Sequence, residues 1–254
     1  MRSKLQALPR GGGRVRLEYE EDWAELILDH PQRRNAISPG MMLDLECAVL
    51  ELKGWAGALV LVRGDTQAFC SGGDLTAVRD HLLDPGMAEA MSVHMGLVLD
   101  QLSRLPQLVV AAVDGPALGG GAEILMSADT IIAARSARVG FVHASLGVSP
   151  GWGGGARLIS RVGARAALRV LAEARRLPAN EALALGLIDQ VCEGSALEAA
   201  REWLCELSAT PTVAIRAAVS LVRSADPDQE RREFLSLWGA EAHRNALEKM
   251  RSRS

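Results

Sequence analysis

The sequence predicts an α/β fold with a largely parallel sheet, followed by a helical C-terminal region. Three observations carry this. Short apolar runs of strand length, "ALVLVRG" (58–64), "LVVAAVDG" (108–115) and "TIIAA" (130–134), alternate with segments whose apolar residues recur at helical spacing. Runs apolar on both faces suit strands covered by helices on either side, the environment of parallel sheets. From about Arg157 the pattern turns helical and stays so almost to the end.

The elements follow in order. "RVRLEY" (14–19) and "WAELILDH" (23–30) both alternate around the turn "EED" (20–22), which predicts a hairpin. After the start signal "SPG" (38–40), Met42, Leu45, Val49 and Leu52 mark a helix face. The strand 58–64 leads into the loop "DTQAFCSGGDL" (65–75), and Met87, Met91, Met95, Val98, Leu102 and Leu105 line a second long helix. A short helix carrying Glu123 separates the strands at 108 and 130. Beyond "ALRVLAEA" (167–174) and "NEALALG" (180–186), the only late strand is "LIDQV" (187–191). The reading divides at 195: a core over 1–195 bears the site, and a helical region over 196–254 follows. Val213, Ile215, Ala218, Leu221, Phe234, Leu235 and Trp238 make the latter too apolar to stand free, so it is expected to pack on the core or on a neighbouring subunit.

Composition bounds the function. A chain of 254 residues with 48% hydrophobic and 23% charged residues suits one large domain or a core with an appendage. A net charge of −3 offers no electrostatic footprint for nucleic acid or an anionic membrane. Cys47, Cys70, Cys192 and Cys205 lack CxxC spacing and histidine partners at metal-ligand intervals, so no metal is expected and buried free thiols are. No run of 18 apolar residues occurs, and "MRSKLQALPRGGG" lacks the apolar centre of a signal peptide. The expected location is cytoplasmic.

Two glycine loops follow two buried strands: "AFCSGGDL" (68–75) and "GPALGGGAE" (115–123). Bare glycine turns let backbone N–H groups approach a ligand, and in open α/β folds such loops leave from the ligand-binding ends of strands. With "HPQRRNAIS" (30–38), "FVHASLGVSPGWGGGARL" (141–158) and "NEALALGLIDQV" (180–191), they form a set in which the chain resembles the crotonase superfamily, the enoyl-CoA hydratase/isomerase family. The resemblance runs over nearly the whole chain. It implies a crotonase-type spiral of ββα units with a helical tail, assembled as a trimer or dimer of trimers. It also implies an acyl-CoA thioester as substrate, coenzyme A entering as part of that substrate, and no tightly bound cofactor. By motif position Gly73 and Gly120 become the two N–H donors that hold a thioester enolate.

Glu123 falls where many hydratases of this family keep one of two catalytic carboxylates. Beside apolar side chains such a carboxylate would hold a proton readily and could exchange it with carbon or water, whereas at a helix N-terminus it could simply be a favourable charge. At the second carboxylate's position the chain departs from the hydratase pattern. "FVHASLG" is two residues shorter, and counting back from Gly147 puts His143 in that place. Syn hydration wants two carboxylates on one water, so the chain looks most like the ethylmalonyl-CoA and methylmalonyl-CoA decarboxylase-like members. The implied chemistry is loss of CO2 from a malonyl-type thioester, with His143 or Glu123 reprotonating carbon. An enoyl-CoA hydratase or isomerase is the alternative, and a noncatalytic CoA-binding scaffold the third reading.

The remaining assignments follow from the resemblance. Trp152, Phe141 and Leu75 are expected at the acyl pocket, and Arg33, Arg34, Ser71 and Lys249 at coenzyme A. Asp74 is expected to be a loop or helix cap, and His30, His81, His94 and His243 match no motif.

Overall fold

The computed structural model describes residues 1–65 and 68–251; Thr66 and Gln67 of the loop 65–75 lie outside the described residues. After a short helix α1 (Arg2–Gln6), the hairpin forms as β1 (Arg14–Tyr19) and β2 (Ala24–Asp29), paired antiparallel. The Ser38 side chain caps α2 (Pro39–Gly54) by accepting from Met41 N–H, and Met42, Leu45, Val49 and Leu52 are all buried. β3 (Leu59–Gly64), α3 (Leu75–Ala77), a π-helical turn at Val78–Leu82 and α4 (Pro85–Ser103) follow. Then come β4 (Leu108–Val113), β5 (Pro116–Leu118), α5 (Gly120–Leu125), β6 (Thr130–Ala134), β7 (Arg138–Gly140) and α6 (Gly154–Glu173). The chain closes with β8 (Leu177–Pro178), α7 (Ala179–Ala184), β9 (Gln190–Cys192), α8 (Ala196–Ser208), α9 (Thr212–Ser224), α10 (Pro227–Leu237) and α11 (Glu241–Arg251).

The strands form two walls. The main sheet runs β1-β2-β3-β4-β6-β9 and is parallel from β2 onward. The small sheet runs β5-β7-β8. Each ββα unit sends its first strand to the main sheet and its second to the other wall, as β4 with β5 and β6 with β7 do. In the unit begun by β3 the second strand shrinks to single-residue bridges, Cys70 to Ala117 and Ile37 to Gly73. The bridge from Cys70 to Ala117 brings the two glycine loops side by side, and that from Ile37 to Gly73 ties the first of them to the segment 30–38.

Helices cover both faces. α2, α4 and α5 close one large apolar core against the strands, and α8 closes a second through Ala196, Ala200 and Leu204 against Leu61, Val110 and Ile132. A buried ion cluster ties α8 to the sheet: Glu25 accepts from Arg63 at 2.6 Å and from Arg201 at 2.8 Å. Burial alone would raise the Glu25 carboxyl, but hydrogen bonds from Arg201, Arg63 and Trp23 outweigh it and hold it below the usual carboxylate range. α10 and α11 bury no residue, and Phe234, Leu235 and Trp238 are exposed. Among the described residues no single helix is long and apolar enough to cross a membrane.

Two expectations are corrected. The late strand is Gln190–Cys192 rather than 187–191, because Gly186, with φ +74°, stops the chain just past α7 and the Leu187 N–H turns back to the Ala182 carbonyl. Leu187 therefore belongs to the helix stop. All four thiols are free, but only Cys70 is buried, whereas Cys47 and Cys205 are exposed. The core-facing positions of α2 are Leu45, Ala48, Val49 and Leu52, and those of α8 are Ala200 and Leu204, so each exposed cysteine falls off its helix's packed stripe.

Candidate active site

The triplet Gly119–Gly121 is bare for two reasons, a positive φ at its first residue and close neighbours at the other two. Gly119 has φ +54°, and a Cβ on Gly121 would lie 2.8 Å from the Cys70 carbonyl carbon. A Cβ on Gly120 would enter the indole of Trp152, 2.6 Å from Cη2. The same indole reaches the other glycine loop, since a Cβ on Gly73 would sit 3.9 Å from Trp152 Cζ2. One buried ring thus spans both expected oxyanion donors. Neither the Gly73 nor the Gly120 N–H has an acceptor among the described residues, and Gly120 is the first residue of α5. Free N–H groups at a helix start, lying under an apolar wall, favour an oxygen that gains negative charge.

Cys70, between these loops, is no nucleophile. Burial pushes its thiol up to about 12, so it stays protonated at neutral pH.

Glu123 is 1% exposed, yet it is ringed by donors rather than set against apolar side chains alone. Its Oε2 accepts from Trp152 N–H at 2.8 Å and Gly154 N–H at 2.9 Å, and its Oε1 from Gly151 N–H at 3.2 Å. His143 Nε2 lies 3.1 Å from the same Oε1. Gly154 must be bare for this wrap, because a Cβ there would lie 2.6 Å from the Glu123 Cβ. With both oxygens engaged, the carboxylate is a fixed anion facing an imidazole.

His143 completes the pair. It follows Phe141 in a 3-10 turn (Val142–Leu146), and its ring centroid lies 6.0 Å from that of Phe141, which is fully buried. A carboxylate oxygen that already accepts one N–H can only accept again, so Nε2 carries the proton toward Glu123. The other nitrogen, Nδ1, is buried and has no partner among the described residues. It is the one acid-base atom of this pair left for a ligand.

The other expected residues divide. Asp74 is a cap, accepting from Thr76 N–H at 2.9 Å, and Leu75 beside it is 67% exposed. Ser71 ties its loop to the segment 30–38: its hydroxyl donates to the Arg33 carbonyl at 3.0 Å and its N–H to the Arg34 carbonyl at 3.0 Å. That leaves the Arg33 and Arg34 side chains exposed at one edge. Lys249 is in the last turn of α11. His30 and His94 are buried against the Ala36 and Met42 carbonyls, as structural histidines are.

A cavity of about 790 Å³ opens at the strand ends, between Arg63, Asp65, Asp114 and Ser195. Its charged groups are committed elsewhere: Asp114 caps α8 through the Ala196 and Leu197 N–H groups, and Arg63 pairs with Glu25. Gly73, Gly120, Glu123 and His143 are not among its lining residues.

Sequence reasoning did not find the donors around Glu123, because they are backbone groups 28 to 31 residues further on. It also passed over Arg157, whose Nη2 donates to the Trp152 carbonyl at 2.6 Å. A signal for it was available: a cation in the first turn of a helix opposes the helix dipole and implies an acceptor nearby.

With this geometry in view, the comparisons are specific. Residues 18–236 match the model of the enoyl-CoA hydratase/isomerase family. Ethylmalonyl-CoA decarboxylase of Danio rerio is 38% identical over 97% of this chain and 86% of that protein. The protein of the same name from Homo sapiens is 36% identical over 98% of this chain and 84% of its own length. Among solved structures, an enoyl-CoA hydratase from Bacillus anthracis superposes with a TM-score of 0.88 at 24% identity, covering 94% of this chain and 96% of that one, a likeness of fold. One from Thermoplasma volcanium gives 0.84 at 26% identity, covering 92% and 96%.

Proposed function

The chain belongs to the enoyl-CoA hydratase/isomerase family, and from that premise we propose that it decarboxylates a malonyl-type CoA thioester, ethylmalonyl-CoA or methylmalonyl-CoA. The observation that carries the proposal is the pairing of His143 with a Glu123 whose oxygens are already taken. Two unit charges 4 Å apart at an effective dielectric of 20 interact by about 4 kcal/mol. A second carboxylate at His143 would repel an anionic substrate on that scale. An imidazole does not, and the charge of Glu123 is already met by three N–H groups.

In the reaction the bond from the α-carbon to the carboxylate breaks and its electron pair passes into the thioester. CO2 leaves, and the oxygen of the enolate receives the Gly73 and Gly120 N–H groups. No external base is needed for this step. The imidazolium of His143, with Glu123 as counter-anion at Nε2, then gives the Nδ1 proton to the α-carbon and the acyl-CoA is released. Phe141 and Trp152 supply apolar walls, Leu75 the rim, and the exposed Arg33 and Arg34 beside Ser71 meet the phosphates of coenzyme A.

The test is mass-spectrometric turnover of ethylmalonyl-, methylmalonyl- and malonyl-CoA beside crotonyl-CoA. Wild type is expected to release CO2 from the branched malonyl esters, and His143→Ala to lower that rate roughly 10²–10⁴-fold, the span of a lost general acid. Water addition to crotonyl-CoA with the malonyl esters untouched would replace this reading with a hydratase.

We also propose a trimer or dimer of trimers, supported by the apolar groove between α9 and α10 at Val213, Phe234, Leu237 and Trp238. Trp238→Glu should then shift the sedimenting species from an assembly to the single chain. A wild-type chain that already sediments as a monomer would end the proposal.

A further inference from the structure

Glu123 holds the turn 151–154 from the side of the dyad, and two other residues hold it from outside. The Ser92 hydroxyl on α4 donates to the Gly151 carbonyl at 2.5 Å, so the peptide between Gly151 and Trp152 is gripped at both ends, its oxygen by Ser92 and its N–H by Glu123. The Trp152 carbonyl is gripped by Arg157 Nη2 at 2.6 Å. Gly153, with φ +79°, makes room for that guanidinium, since a Cβ there would lie 3.1 Å from Nη1.

Arg157 is an expensive way to fill this space. Its Nε is buried without a partner among the described residues. Burial pulls the guanidinium below the ordinary arginine value, while the negative charges of Glu123 and Asp100 act in the opposite direction. A buried cation with an unused donor adds little to stability that an apolar side chain would not. Its place is explained by what it holds.

We propose that Arg157 is a positioning residue: by fixing the Trp152 carbonyl it sets both the indole across Gly73 and Gly120 and the N–H groups that aim Glu123 at His143. It acts through Trp152 and Glu123 and does not meet the substrate. Without the guanidinium the turn keeps its anchors on Ser92 and Glu123, so the chain folds. The indole gains freedom, however, and the imidazole delivers its proton from a less defined direction.

The kinetic side of this inference rests on the decarboxylase reading, so the experiment adds a measurement that needs no substrate. The full chain is prepared as wild type, Arg157→Gln, Arg157→Lys and Ser92→Ala. In D2O, wild type should convert ethylmalonyl-CoA to butyryl-CoA carrying one deuterium at the α-carbon in a single configuration. Arg157→Gln should lower kcat roughly 10- to 100-fold, as a misplacement of about 1 Å does. KM should change little and the two configurations should mix. Arg157→Lys should recover part of both effects, and Ser92→Ala should fall between it and wild type.

The second measurement is the 19F spectrum of the ligand-free chain labelled with 5-fluorotryptophan, the Trp152 line being assigned by its loss in Trp152→Phe. That line should move or broaden in Arg157→Gln while the other four of the five tryptophans hold still. A folded Arg157→Gln with wild-type kcat, one configuration and an unmoved line overturns the inference. If wild type releases no CO2 from any malonyl ester, the decarboxylase reading has failed by itself. In that case a displaced Trp152 line keeps the positioning role and an unmoved one removes it.

Discussion

Glu123→Ala should lose about 3–5 kcal/mol of stability, the cost of removing one partner from a buried charged network, and Glu123→Gln should lose less stability but nearly all turnover. The first expectation follows from what is left behind. Three N–H groups, of Gly151, Trp152 and Gly154, and the imidazole of His143 all lose their acceptor together. Each buried donor left unsatisfied costs about 1–3 kcal/mol, reduced where water can enter. In a domain of this size each kcal/mol moves Tm by roughly 2–4 °C, so a fall on the order of 10 °C is expected by calorimetry.

The glutamine variant separates folding from chemistry. Its carbonyl can still accept from Trp152 and Gly154, but its amide group then faces the Gly151 N–H and His143 Nε2 with hydrogens of its own. The imidazole must turn its lone pair toward that amide, and the anion that would balance an imidazolium is gone. Loss of the general acid in this way lowers turnover by roughly 10²–10⁴-fold. Glu123→Gln with wild-type CO2 release would show that the carboxylate is no partner of His143. An unchanged Tm in Glu123→Ala would show that the turn does not depend on it.

How far the site could be read in the sequence depends on what kind of interaction makes it. The strands at 59, 108 and 130 and the helix faces of α2 and α4 were legible because burial imposes a period on side chains. The two glycine loops were legible because close backbone approach leaves only glycine, and Gly120 under Trp152 and Gly121 against Cys70 are both cases of it. The surroundings of Glu123 were not. Its donors are peptide groups, which every residue carries, and only the fold chooses which of them turn inward. The same limit moved the last strand to Gln190–Cys192, where a helix stop took the Leu187 N–H that alternation alone would give to a sheet. Cys47 and Cys205 show a related limit: their apolar neighbours suggested burial, but one position along a helix turns a side chain by about 100° out of the packed stripe.

Gly120→Ala should cost at least a hundredfold in kcat while leaving KM for the thioester nearly unchanged. Gly120 is the first residue of α5 and its φ is not positive, so alanine suits its backbone and the whole effect comes from the Cβ. That Cβ enters the indole of Trp152. Either the ring leaves its place across Gly73 or α5 shifts and the Gly120 N–H loses its aim. In both cases a donor that matters when the oxygen becomes anionic is misplaced, and removing one such donor costs about 10²–10³-fold in kcat. The ground-state carbonyl uses it far less, which is why KM should hold.

The two causes separate in a double-mutant cycle. Trp152→Leu alone should broaden the acyl group accepted, with a modest loss in rate. Combined with Gly120→Ala, it relieves the clash and should return much of the lost kcat, so the two effects are far from additive. Exchange of the α-protons of butyryl-CoA with D2O reads the same enolate without decarboxylation and should fall in parallel in Gly120→Ala. A folded Gly120→Ala that keeps wild-type kcat and exchange would remove this N–H from the oxyanion site. A loss that Trp152→Leu leaves uncorrected would place the damage in α5 rather than in the wall above it.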